Sequence, residues 1–232
     1  MSVIRVLSAG APKGGVGLTA EAFESDTGHS FQISFATAPT IRAAVEGGTA
    51  EADVVVATAD AVEAFGTEGL TLEGAMTVLG SIKAGVVIRI GADVPDISSA
   101  ETLKQALLDA QSIVRNEASS GLYIARMIEG LGIADQVKDK TVTLPTGGDV
   151  LAHLAESDVQ KEIGFGQLTE IRRLEPEGRI RLVGALPKEV ENITTYAAAP
   201  LAGARDPDAA KAYVGYLATD AARKILVASG VE

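Results

Sequence analysis

Asp53-Val-Val-Val-Ala57 is an uninterrupted apolar run entered through a charged residue and left through Thr58-Ala-Asp60. A run this short, rich in β-branched residues and without polar alternation, reads as a strand buried on both faces. Working outward, the upstream residues 3–7 and 31–35 also read as strands. Helical spacing falls at 18–24 and 39–46, and again after the apolar run through Phe65. This βαβαβα order implies a parallel sheet with helices on both faces.

Downstream the pattern starts again. Residues 80–90 form a longer apolar strand, and a turn-rich loop at 91–99 ends in Ser99, an N-cap residue. Glu101 follows, where a carboxylate suits the positive end of a helix. That helix runs to about residue 109. Strands are expected at 112–115, 141–144, 163–165, 179–183 and 193–199. Helices are expected at 119–130, 148–156, 208–217 and 220–229. No repeat of fixed period and no low-complexity tract is present. Two similar βα sets, before and after about residue 85, make two α/β lobes. A cleft at the carboxyl ends of the strands is where such sheets take ligands.

The chain has 232 residues, with 20 Lys plus Arg against 31 Asp plus Glu, a net charge of 20 − 31 = −11. Its apolar fraction of 47% is that of a globular core. Nucleic acid and membrane insertion are therefore not expected: the charge is of the wrong sign for a polyanion, and no apolar run reaches the roughly 18 residues of a span. Cysteine is absent, which removes disulfides, thiolate metal sites and thiol nucleophiles, and His29 and His153 are the only histidines. Neither a cofactor nor a metal is expected. Met1-Ser-Val-Ile enters a strand without a signal-peptide core. The expected location is cytoplasmic if Met1 is the native start and periplasmic if a signal peptide was removed.

Four strand-to-helix loops carry small residues and a hydroxyl at a helix N-terminus, where free N–H groups favour an anion. Pro12-Lys-Gly-Gly-Val-Gly-Leu-Thr19 looks like the phosphate loop of a family of ATPases, but Leu18 stands where the phosphate-reaching Lys belongs. Nucleotide hydrolysis is not expected; an anion site beside Lys13 is. The other loops are Thr37-Ala-Pro-Thr40, Ser119-Ser-Gly121 and Thr146-Gly-Gly-Asp149. Arg115, at a strand end, either clamps a carboxylate or pairs with Glu117 on the surface. His153 reads as structural or surface, His29 as a loop residue. Lys138-Asp-Lys140 and Arg172-Arg173 read as solvated charge. No catalytic triad, carboxylate pair or metal-ligand spacing stands out.

Several of these segments, in order, resemble the periplasmic molybdate-binding proteins of ABC transporters. They are Val6-Leu-Ser-Ala-Gly-Ala11, Ser34-Phe-Ala-Thr-Ala38, Ala52 to Asp60, Ser119-Ser-Gly-Leu-Tyr123, Gly148-Asp-Val150 and the ending Asp206 to Ala218. The segment Gly85 to Ile97 resembles a branch named only as substrate-binding proteins. The resemblance implies a two-lobed type 2 periplasmic-binding-protein fold, with two crossing strands and a central cleft. Lobe 1 would hold 1–82 plus 197–232 and lobe 2 would hold 83–196, with hinge strands near 82–90 and 193–199. It implies an ABC permease as partner, a small anionic ligand and a monomer. The family's oxyanion contacts fall on Ala11, Thr37 or Ala38, Ser120, Val150 and Gln167. The family's first-loop Ser is Ala11 here, and its fourth-loop Tyr is Gln167.

With neutral donors missing and Lys13 and Arg115 at hand, the ligand expected is an organic di- or tricarboxylate rather than molybdate. The expected ligand-binding set is Ala11, Pro12, Lys13, Thr37, Ala38, Arg115, Ser119, Ser120, Val150 and Gln167. Hinge closure would trap the ligand. The aconitate isomerases are similar to the same family, and the alternative is such an isomerase, without cofactor. Lys13 or Glu117 would then supply the base for a 1,3-proton shift. A ligand sensor is a third reading.

Overall fold

A computed structural model describes residues 2–232. The chain divides into two compact units, one of Met1–Ile82 with Thr194–Glu232 and one of Lys83–Ile193. Among the described residues no helix is long and apolar enough to cross a membrane.

In the first unit, strands β1 (Val3–Ala9), β2 (Ser30–Ala36) and β3 (Val54–Thr58) alternate with helices α1 (Lys13–Thr27), α2 (Ala38–Glu46) and α3 (Ala59–Thr67). β1 pairs in parallel with β2, Val3 opposite Ser30, and with β3, Val6 opposite Val54. Val54, Val55 and Val56 are each 0% exposed, because helices cover both faces of the strand that the apolar run forms. β9 (Ile193–Pro200) closes the sheet antiparallel to β3. α9 (Pro207–Leu217) and α10 (Asp220–Ala228) complete the unit. Phe23, Phe31 and Tyr213 meet edge to face in its core.

β4 (Thr77–Arg89) carries the chain into the second unit. There α4 (Ala100–Asp109), β5 (Ser112–Asn116), α5 (Ser119–Gly130), the short α6 (Ala134–Val137), β6 (Thr141–Leu144), α7 (Gly147–Glu156), β7 (Glu162–Gln167), α8 (Leu168–Leu174) and β8 (Ile180–Ala185) follow in order. β5 is parallel to β6 and β7, while β4 runs antiparallel to β7 and β8. Ser99 caps α4 as its sequence position predicts: its hydroxyl accepts from Thr102 N at 3.1 Å. Lys140 is not simply solvated. Its ammonium donates to the carbonyls of Leu108 (2.6 Å) and Ala110 (2.7 Å), tying off the end of α4.

The parallel strands fix where chemistry can sit. In the first unit the β1–α1, β2–α2 and β3–α3 turns lie at one edge of their sheet. In the second the β5–α5, β6–α7 and β7–α8 turns do the same.

Candidate functional site

In the first unit, Ala11, Pro12 and Lys13 leave the carboxyl end of β1 and open α1. Val16 N donates to Pro12 O at 2.9 Å, so the amides of Gly14 and Gly15 precede the first helical hydrogen bond. Thr37 and Ala38 open α2 on the neighbouring strand; Thr37 makes no side-chain cap and instead shares a hydroxyl contact with Thr40 at 2.9 Å. The Lys13 ammonium lies 4.7 Å from the centroid of the Phe35 ring.

The phosphate-loop resemblance dissolves on packing. Thr19 is fully buried, and its hydroxyl donates within the helix to Gly15 O and meets the Tyr213 hydroxyl at 3.2 Å. It faces the core, where no phosphate can reach. The glycine at position 15 answers to a helix contact: a Cβ there would stand 2.7 Å from Ser229 Oγ and 2.8 Å from Leu226 Cδ2, both on the α10 side.

In the second unit, Asn116 organises the start of α5. Its Oδ1 accepts from Gly121 N at 3.1 Å and its Nδ2 donates to Ser120 Oγ at 3.3 Å. Gly121 is demanded here, since an added Cβ would collide with the Asn116 carbonyl oxygen. Ser119 and Ser120 keep N-terminal amides with no intrahelical acceptor. Arg115 directs Nη1 to the carbonyls of Asn116 (3.3 Å) and Gly121 (3.5 Å), which holds the guanidinium beside this turn. The ion pair with Glu117 is not formed; Glu117 is exposed and its amide donates to Leu144 O.

The Thr146 loop closes on itself. Asp149 Oδ2 accepts from both the amide and the hydroxyl of Thr146, and Thr146 Oγ1 accepts from Asp149 N. A Cβ on Gly147 would meet Glu170 Oε2 at 2.6 Å, so a second carboxylate lies against the start of α7. With two carboxylates of its own, this helix end does not suit a further anion. Val150 is 0% exposed in the core, and its amide donates to Thr146 O. Its side chain therefore offers a ligand nothing. Gln167 ends β7, 3% exposed, with Oε1 lacking a protein partner, an acceptor that a ligand O–H or N–H can satisfy.

His153 is structural in part: Nε2 lies 3.2 Å from Oε1 of the buried Glu162. Asn116 and Phe35 are the neighbours that sequence reasoning passed over. A cavity of about 320 Å³ elsewhere in the second unit is lined by Asp93, Asp96 and Asp109 along with Lys161. That lining does not suit an anion.

Residues 4–232 match the profile of the bacterial extracellular solute-binding proteins. An aconitate isomerase from a Pseudomonas species is 29% identical over 238 aligned residues, covering 100% of this chain and 88% of the enzyme. The periplasmic molybdate-binding protein of Azotobacter vinelandii superposes with a TM-score of 0.80 at 18% identity, covering 99% of this chain and 98% of that one. The sulfate-binding protein of Mycobacterium tuberculosis gives 0.79 at 16% identity, covering 99% and 86%. The fold is thus the two-lobed α/β fold of periplasmic binding proteins, and the chain belongs to the bacterial extracellular solute-binding protein family.

Proposed function

We propose that the chain is the substrate-binding component of an ABC-type transporter and that its ligand is a small di- or tricarboxylate. The observation that carries the carboxylate reading is the pair Lys13 and Arg115. Each unit supplies one, at the carboxyl end of its parallel strands, and neither forms an ion pair. In a chain of net charge −11, carboxylate partners are plentiful. A cation without one is common on this chain, but one set beside uncapped helix amides at a strand's carboxyl end is suited to an anion from outside. A guanidinium and an ammonium match carboxylates better than the neutral hydroxyl and amide set of a molybdate site.

A thermal-shift screen of molybdate, tungstate, sulfate, citrate, cis-aconitate and trans-aconitate tests this. A ligand that binds the folded chain raises Tm, by about 2.7 kcal/mol of stabilisation at a hundredfold excess over Kd. Shifts with carboxylates that vanish in Lys13→Met and Arg115→Met are expected. A shift with molybdate and none with any carboxylate overturns the reading.

A second reading is favoured by the 29% identity to an aconitate isomerase across the whole chain. On this reading a base removes a proton from a carbon next to a carboxylate, the double bond moves, and a proton returns to the far carbon of the three-carbon unit. Lys13 or Glu117 is the side chain we assign to carry that proton. Proton NMR of trans-aconitate with the protein in deuterated buffer decides: isomerisation or deuterium uptake supports the enzyme, and tight binding without either leaves transport.

A further inference from the structure

Phe35 is the last but one residue of β2, an edge strand, and as a residue is 38% exposed beside the β2–α2 turn. The Lys13 ammonium, itself on an exposed residue, lies 4.7 Å from the ring centroid. An aromatic face attracts a cation through its quadrupole without neutralising it, unlike a carboxylate. The ring thus restrains a flexible four-carbon side chain while leaving its charge and N–H donors available. It also places an apolar surface directly beside that charge.

We propose that Phe35 is a positioning residue for Lys13, and that the two together make the first unit's anion contact selective for organic carboxylates over inorganic oxyanions. The proposal rests on the carboxylate reading above. A carboxylate carries carbon next to its charge, so it can meet the ammonium with its head and the ring with its skeleton. A tetrahedral oxyanion has no apolar part, and placing it against the ring removes water from oxygens that gain no partner there.

The test is calorimetric titration of trans-aconitate and of molybdate into wild type, Phe35→Leu, Phe35→Tyr, Lys13→Met and the Phe35→Leu/Lys13→Met double variant. Equal Tm values first establish that each variant folds. An exposed cation–π contact predicts that Phe35→Leu weakens trans-aconitate about two- to fivefold. Phe35→Tyr should bind as wild type, and Phe35→Leu should add nothing once Lys13 is Met. Ring-current displacement of the Lys13 side-chain protons in the ligand-free protein should be present in wild type and lost in Phe35→Leu. If Lys13→Met weakens trans-aconitate and Phe35→Leu does not, the positioning role is overturned and the carboxylate reading stands. If wild type binds molybdate and no carboxylate, both fall.

Discussion

The Arg5 guanidinium and the Asp53 carboxylate meet through two parallel hydrogen bonds inside the first unit, Nε to Oδ2 at 3.0 Å and Nη2 to Oδ1 at 2.7 Å. Asp53 also accepts from the amides of Arg5 (2.9 Å) and Arg205 (2.8 Å), so one side chain joins β1, the entry to β3 and the approach to α9. Burial alone would raise the Asp53 carboxyl; the Arg5 hydrogen bonds, the Arg205 amide and the charge of Arg5 outweigh it and hold the group below the usual range.

Asp53→Ala leaves a largely buried guanidinium without its partner, and a cost of about 3–5 kcal/mol is expected in urea unfolding. The pH profile carries the same signature. A depressed folded-state value means the stabilisation is complete above the unfolded value of about 3.9 and is lost as pH falls through the folded one. The urea midpoint of wild type should drop below that pH more steeply than that of Asp53→Asn. Parallel slopes would show that Asp53 is not the group responsible.

At alkaline pH the group to watch is Tyr213. Burial pushes its hydroxyl up to about 12, against a partial offset from the hydrogen bond with Thr19. The unfolded chain ionises near 10 and the folded chain does not, so this contribution is intact below about pH 10 and is lost as pH rises through 12, roughly 2–3 kcal/mol in all. Tyr213→Phe keeps the ring among Phe23 and Phe31 and gives up the hydroxyl contacts. It should cost about 1 kcal/mol at neutral pH and flatten the alkaline decline. Ultraviolet titration of wild type against Tyr213→Phe should show Tyr213 ionising only as the protein unfolds.

What the sequence disclosed depended on the range of the interaction. β3 was legible because a strand covered on both faces must be continuously apolar, and the Ser99 cap because its partner stands three residues on. α8 begins at the residue after β7 ends, and Arg172 and Arg173 hid the spacing of the buried Leu168 and Ile171. The strand-end loops were equally visible, yet their use was not. Whether Thr146 is open to an anion depends on Glu170, more than twenty residues away in sequence. Phe35 shares the two-residue period of Phe31 and Ile33, both partly buried, and yet is exposed. Its exposure follows from its place at the end of an edge strand, which only the sheet order reveals.

The glycines of the first loop separate packing from ligand chemistry. Gly15→Ala drives a methyl group against Ser229 and Leu226, and a loss of about 1–3 kcal/mol is expected. Gly17, two residues on in the same helix, has nothing within 4 Å of an added Cβ. Gly17→Ala should therefore stabilise α1, by up to about 1 kcal/mol, through helix propensity alone. Neither ATP nor GTP should shift the Tm of either variant. A nucleotide-dependent shift abolished by Gly15→Ala would restore the phosphate-loop interpretation.

The net charge of −11 and the local charges of Lys13 and Arg115 pull in opposite directions, and ionic strength separates them. An anionic ligand approaching from a distance meets the repulsion of the whole chain, which acts over about 30 Å at 0.01 M salt and about 8 Å at 0.15 M. On the carboxylate reading proposed above, contact with Lys13 and Arg115 would act at hydrogen-bond range, where salt screens far less. Raising salt should therefore increase the association rate of citrate in stopped-flow while leaving dissociation little changed. Arg115→Met should accelerate dissociation without reversing the salt trend on association. A rate that falls with salt would mean that the local cations dominate the far field, and that the surplus carboxylates lie remote from the path of the ligand.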